Sequence, residues 1–436
     1  MSGPKVTSAH SASSHGKKKR SIQMRMYNVG FGDCFLLRIP TEGGERLMLV
    51  DCGYHSQGKG AFNDREIVGQ IKEDIAGKAI DVVVATHRHQ DHISGFGERD
   101  LWDDIAVEEV WLPFTADPKA AGSDPTLKAW NSLMESANGL LRDGGLTPAA
   151  LTALGARTPD EQAMAEFMLW NARANAPGIE NLVYGMKRAD GRPARRRFLP
   201  DEGAKFPASF LTRRLPGVQV HVLGPPRDPQ FRKQRKVPAS WGVAGGVVAS
   251  AASPAEGGSP FGPEWRVPQE RLPPRRPLAD ASLRSIRLFN DDLLHAARAV
   301  DGFLNGESIV LVLEVGEARL LLPGDAEVGT WQHILSDNKA AALAASATFL
   351  KVGHHGSHNA TPLVFVQEQL AKKTPAIIST QEGPGNYRNG IPLDGLLAAM
   401  KHREMPYARS DKAPKKAQGI FTPGAGGRWI DCEIPC

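Results

Sequence analysis

From Ser21 onward, strand-like apolar runs alternate with glycine-rich turns. "IQMRMYNV" leads into the turn "GFGD", "CFLLRI" follows, "PTEGGE" turns again, and "RLMLV" runs to "DCG". Alternation of period two bounded by such turns predicts a hairpin or meander. Residues 63–76 place Ile67, Val68, Ile71 and Ile75 at helical spacing behind the cap candidates Asn63 and Asp64, which predicts a helix. "AIDVVVAT" and "VEEVWLPF" read as buried strands. Strand, helix, strand in this order predicts an α/β layer arrangement.

After residue 115 the pattern changes. "DPTLKAWNSLMESANGLLRD" and "TPDEQAMAEFMLWNARANA" have helical spacing, and a basic region follows. Between 187 and 236 fourteen Lys and Arg face only four acids, with "VQVHVLGPP" interrupting as a strand. Residues 237–280, rich in Gly, Pro, Ala and Ser, are expected to form a flexible insertion. Strand character returns in "SIVLVLEVGEARLLLPGDAE", a hairpin turning at Gly316. A helix over 331–345, the segments "ATFLKVGHHGSH" and "PAIISTQ", a helix over 392–403 and two short strands complete the reading. The expected layout is a basic tail (1–20), a first half-core (21–114), a helical and basic insertion (115–215), a core strand (216–224), a Pro/Gly/Arg-rich insertion (225–304) and a second half-core (305–436).

At 41% hydrophobic and 23% charged, the composition is that of a globular protein with a sizeable core. No apolar stretch approaches the roughly 18–20 residues of a membrane-spanning helix, so no membrane association is expected. "MSGPKVTSAHSASSHGKKKR" lacks the apolar centre of a secretory signal, and cytoplasmic residence is the expectation. The net charge of +5 equals the contribution of Lys5, Lys17, Lys18, Lys19 and Arg20. Such a tail is read as a solvated arm. Cys34, Cys52, Cys432 and Cys436 lack paired metal or disulfide spacing and are read as free thiols.

The chemistry concentrates in "VVVATHRHQDH". His87 and His89 are two apart on an extended segment, so both rings face one side, and Asp91 and His92 follow as the chain turns. Imidazoles with a carboxylate suit zinc and also accept manganese or iron. Asp325 in "LLLPGDAE" and the pair His354 and His355 in "FLKVGHHG" lie at two further strand ends, where open α/β layers gather functional groups. Burying these groups together without a cation would leave polar atoms unpaired and like charges adjacent. His221, His295, His333 and His402 stand alone and are read as structural.

The motif His87-Arg88-His89-Gln90-Asp91-His92 resembles the H-x-H-x-D-H signature of the metallo-β-lactamase superfamily. "YNVGFGDCFLLR", "NGESIVLVLEVGEARLLLPGDAE", "LKVGHHGS" and "ARSDKAPKKAQGIF" are similar to the hydrolase domain of ComEC-like DNA-uptake proteins. The resemblance implies a four-layer αβ/βα sandwich, here with two insertions, and two divalent metals, zinc first. It assigns His87 and His89 to one ion, Asp91, His92 and His354 to the other, and Asp325 between them. Asp51 would orient the metal loop, and Asp91 would orient the water that the metals activate. His355, Ser357 and Lys351 are candidates to steady the leaving group. Two positions depart from the pattern. The expected third histidine of the first ion is Gly224, which predicts a weaker first site, and a late histidine is replaced by Ile391.

The expected activity is a metal-dependent phosphodiesterase or nuclease, with Arg195, Arg196 and Arg197 as candidate nucleic-acid contacts. A degenerate-site metal-binding protein, docking a partner through 116–176, is the alternative from another class. A thioester or lactone hydrolase is the third reading.

Overall fold

Two β-sheets packed face to face put the apolar side of each alternating strand into a shared interior. The structure is a computed structural model describing residues 20–55, 59–123, 176–234, 237–238, 241, 303–381 and 391–436. Both expected helices between 124 and 175, and most of the expected flexible insertion, lie outside these residues.

The strands of the first half are β1 (Ser21–Tyr27), β2 (Cys34–Thr41), β3 (Gly44–Cys52), β4 (Ile80–Val84), β5 (Val107–Pro113), β6 (Arg195–Leu199), β7 (Ala208–Leu211) and β8 (Gln219–Gly224). Those of the second are β9 (Val310–Val315), β10 (Ala318–Leu322), β11 (Phe349–Lys351), β12 (Ala376–Ile378), β13 (Tyr407–Arg409), β14 (Phe421–Pro423) and β15 (Trp429–Pro435). One sheet runs β14-β15-β1-β2-β3-β4-β5-β6, the other β13-β12-β11-β10-β9-β8-β7.

Period two decides which side chain goes where. Met24, Met26, Phe35, Leu37, Met48, Val50, Val82 and Val84 meet Val220, Val222, Leu311, Leu313, Leu320 and Phe349 between the sheets. The alternate residues Leu36, Leu49 and Val83 pack outward against Ile67, Val68, Ile71 and Ile75 of α1 (Asp64–Ile75). On the far side Val310, Val312, Leu321 and Leu350 pack against α2 (Val328–Ser336), α3 (Asn338–Ala345) and α4 (Asp394–His402). Helix, sheet, sheet, helix is the four-layer αβ/βα sandwich.

Three features differ from the pattern reading. The basic stretch taken as part of an insertion supplies an edge strand to each sheet, because β6 pairs parallel with β5 and β7 antiparallel with β8. The expected helix over 331–345 breaks at Asp337, whose side chain accepts from Lys339 N and Ala340 N and so starts a second helix. At the carboxyl end three short strands replace the expected two, and β15 lies beside β1. All four cysteines are described, and all are unbridged. No helix among the described residues is long and apolar enough to cross a membrane.

Candidate metal centre

The parallel strands β3, β4, β10, β11 and β12 all end at the same rim of the sandwich, and the chemistry-bearing residues sit there. Asp51 closes β3, 87–92 follow β4, Asp325 follows β10, and His354 and His355 follow β11. Gly53 lets the metal loop settle against β3: a Cβ there would lie 2.6 Å from both Asp91 C and His92 N.

Four ligand-type side chains converge, namely Asp91, His92, Asp325 and His355, with their donor atoms all within 4.8 Å of one another and all four residues buried. His92 Nε2 is 3.1 Å from Asp325 Oδ2 and 3.9 Å from Asp91 Oδ2. His355 Nε2 is 3.2 Å from Asp91 Oδ2 and 3.5 Å from Asp325 Oδ2. A tetrahedron of donors at roughly 2.0–2.1 Å from a zinc ion has edges of about 3.3–3.4 Å, so these separations bracket a four-coordinate cage. Beside it, His87 Nε2 and His89 Nδ1 are 2.9 Å apart.

Ring orientation fits ligation as well. His355 Nδ1 faces Ser379 O at 3.0 Å, and a carbonyl only accepts, so the proton sits on Nδ1 and Nε2 turns to the carboxylates. His92 Nδ1 lies 2.8 Å from Asp51 Oδ2, and Asp51 also accepts from Thr86 N and Thr86 Oγ1, each at 2.7 Å. Asp51 therefore aims a ligand and ties down the loop carrying it. Burial alone would lower the His92 pKa, yet Asp325, Asp91 and Asp51 outweigh it and hold the pKa well above its ordinary value. For His355 burial is likewise overcome, here by Asp325 and Asp91. His87 and His89 go the other way. Burial, reinforced by neighbouring imidazoles, pushes His87 well down, and burial takes His89 to about 3.

Residue by residue, the arrangement revises the sequence expectation. The late histidine of the cage is His355, which was expected at the leaving group. His354, expected in its place, has Nε2 4.0 Å from Asp325 Oδ2 and a partly exposed side chain. Both have left-handed backbone, with φ 46° and 54°, as does Asp51 at 56°. Such conformations cost non-glycine residues roughly 1–3 kcal/mol each and mark sites where side-chain placement overrides backbone comfort. Lys351 is buried behind Asp325, ion-paired to Asp33 and 3.5 Å from Asp325 Oδ1. Ser357 Oγ turns to Asn359 Oδ1 at 2.8 Å.

Strand alternation separates the arginine triplet, since Arg195 and Arg197 share one face of β6 and Arg196 the other. Arg196 donates to Leu182 O, Met186 O and Ala194 O. Arg197 pairs with Asp201 and stacks on Phe210. Only Arg195 remains exposed. His221 bridges Ser209 and Glu314 across neighbouring strands, remote in role from the cage.

Two acidic residues of the centre escaped the sequence reading. Asp33, the "D" of "GFGD", anchors Lys351, and its backbone N donates to Asp91 O at 3.0 Å. Glu307, fully buried, holds Arg88 of the metal loop through contacts of 2.7 and 2.9 Å. An acid inside a glycine-rich turn was the available signal for the first; nothing local marks the second.

Residues 27–112, from β1 through the metal motif to β5, match the family model described as Metallo-beta-lactamase superfamily. That stretch of the chain is similar to the superfamily's domain. No curated protein matches the chain. The matched span contains Asp51, His87, His89, Asp91 and His92, while Asp325 and His355 reach the same rim from the second sheet.

Proposed function

We propose that the chain is a metal-dependent hydrolase, and that its substrate is a phosphodiester. The observation that carries the reading is the buried cage of Asp91, His92, Asp325 and His355 within a metallo-beta-lactamase domain. A divalent ion bound there supplies a Lewis acid and lowers the pKa of water toward neutrality. The protein's own part is to hold and aim. Asp51 fixes the His92 ring through Nδ1, Ser379 fixes His355 through Nδ1, and Lys351 holds Asp325 from behind through Oδ1. Glu307 fixes Arg88 between the two motif histidines, so the loop meets the second sheet in one register. The phosphodiester preference is supported by likeness of the glycine-turn, PGD and HHG segments to ComEC-like hydrolase domains. It does not rest on the arginine triplet, of which two members are engaged within the protein.

The test is hydrolysis of bis(4-nitrophenyl) phosphate by the purified chain loaded with Zn²⁺ or Mn²⁺, beside an acyl thioester and a lactone. Turnover of the phosphodiester, falling at least 100-fold in Asp325→Asn, is expected. Preference for thioester or lactone would overturn the substrate class. Metal loading without any turnover would leave a metal-binding partner protein.

A further inference from the structure

Three strands of the second sheet run side by side toward the rim. β11 pairs parallel with β12 and β12 with β13, so the residues after β13 emerge at the end of the sandwich where His355 stands. They are Ser410 to Ile420, "SDKAPKKAQGI", with three lysines and one acid. The acid is neutralised from within, since Asp411 accepts from Arg409 Nε at 2.9 Å and from Nη2 at 2.7 Å. Lys412, Lys415 and Lys416 are exposed. Lys415 and Lys416 have no ion-pair partner among the described residues. A short hydrogen-bonded path joins this loop to the cage. His355 Nδ1 donates to Ser379 O at 3.0 Å, and the next residue, Thr380, donates from its N to Ser410 Oγ at 2.8 Å. Ser410 returns a bond from Oγ to Thr380 O at 2.8 Å and another from N to Ile378 O at 3.0 Å.

We propose that the loop 410–416 is a phosphate-binding subsite beside the cage, where Lys412, Lys415 and Lys416 hold the phosphates that flank the scissile diester of a single nucleic-acid strand. Charge names the ligand, because cations without local compensation at the mouth of the site attract a polyanion. The loop is also held in shape. Lys412 N donates to Arg409 O at 3.3 Å, Gln418 and Phe421 exchange backbone bonds of 2.8 and 3.0 Å, and Ala413 and Ile420 pack on the core between the sheets. A loop fixed in this way loses little freedom when it binds. From the first sheet, exposed Lys59 meets the same stretch, its N donating to Gln381 Oε1. A single strand fits better than a duplex, since the four cage residues are at most 1% exposed and one diester at a time must enter. Lysines grip the backbone and not base edges, so the subsite reads charge without sequence. Arg195 has no part in it. It opens β6, a strand parallel to β5, and so lies at the end of that strand away from the rim.

The subsite rests on the phosphodiester reading above, and binding is measured apart from turnover so that each can fail alone. The probe is a short 5′-labelled oligothymidylate with phosphorothioate linkages, which keep the charge of a natural strand and resist cleavage. Its fluorescence anisotropy is followed with the Zn²⁺-loaded full chain, with the double variant Lys415→Gln, Lys416→Gln and with Arg195→Gln, across a range of salt. Circular dichroism checks the fold of each. The double variant should bind at least tenfold more weakly at low salt. Its plot of log affinity against log salt should be shallower by about 1.4, at about 0.7 for each lost phosphate contact of a single strand. Arg195→Gln should match the parent chain. Unchanged affinity and slope in the double variant, an equal loss in Arg195→Gln, or no binding by the parent chain at low salt would overturn the subsite. Polyglutamate displacing the probe as well as unlabelled oligothymidylate does would overturn the nucleic-acid ligand. Binding that depends on Lys415 and Lys416, in a chain that hydrolyses no diester, would support the subsite and remove only the hydrolase reading.

Discussion

At the scale of single residues, the centre shows what a pattern can and cannot carry. His87, His89, Asp91 and His92 were legible because strand and turn geometry follow from local spacing. That His355 and not His354 joins the group of Asp91, His92 and Asp325 was not, because adjacent left-handed residues obey neither period two nor period 3.6. Asp33 hid in a turn for the same reason. A partly buried acid, Asp64, gives a further test of electrostatics. Burial pushes the Asp64 carboxyl up to about 7, against the Ser94 hydroxyl, which donates to it at 2.5 Å, and with some help from Glu98. The folded state therefore holds this proton more tightly than the unfolded chain. Its contribution to stability is complete below the unfolded value near 4 and is lost as the pH rises through about 7. Asp64→Asn removes the dependence. The stability of the parent chain relative to the variant should fall between pH 4 and pH 8 by at most about 4 kcal/mol, offset in part because a charged Asp64 favours the start of α1. Urea unfolding of both proteins across that range checks it, and a pH-independent difference would contradict it.

At the scale of elements, the core strands and α1 were read correctly because each is either amphipathic with a single period or, like β4, a short apolar run between turns. β6 was not. "RRRFL" has no apolar alternation to detect, and its place at a sheet edge, with arginines satisfied by carbonyls and Asp201, comes from contacts distant in sequence. The break between α2 and α3 was visible only as an aspartate with two roles, helix surface or cap. The decisive contact between elements is the metal loop lying on Gly53 at the end of β3. Gly53→Ala places a methyl group 2.6 Å from the backbone of Asp91 and His92. Overpacking of this kind costs about 1–3 kcal/mol. The expected outcome is a lower melting temperature together with at least tenfold weaker Zn²⁺ binding, measured against a chromophoric chelator. Unchanged binding would mean that the loop does not depend on this seat.

At the scale of the whole molecule, the two sheets meet at the rim through more than the cage. Arg88 from the first half grips fully buried Glu307 from the second, and Ile309 N donates to Thr86 O at 2.9 Å. Breaking a buried pair of this type costs about 3–5 kcal/mol. Glu307→Gln is expected to lower the melting temperature and metal affinity together, which calorimetry of the loaded and chelated forms would show; a loss of stability alone would limit the clamp to a structural role. The four-layer architecture was legible in outline because both halves repeat the same alternation, but the neighbour relations of the sheet edges were not. One of those relations has a temporal meaning. β15, residues 429–435, forms its ladder with β1, residues 21–27, and β1 presents Ile22, Met24 and Met26 to the interior. At about 5–20 residues per second, a ribosome reaches β15 roughly 20–80 seconds after β1 has been made. Throughout that interval β1 waits with one edge unpaired, a template open to any passing strand. Completing the sheet therefore waits until synthesis has run from β1 all the way through β15.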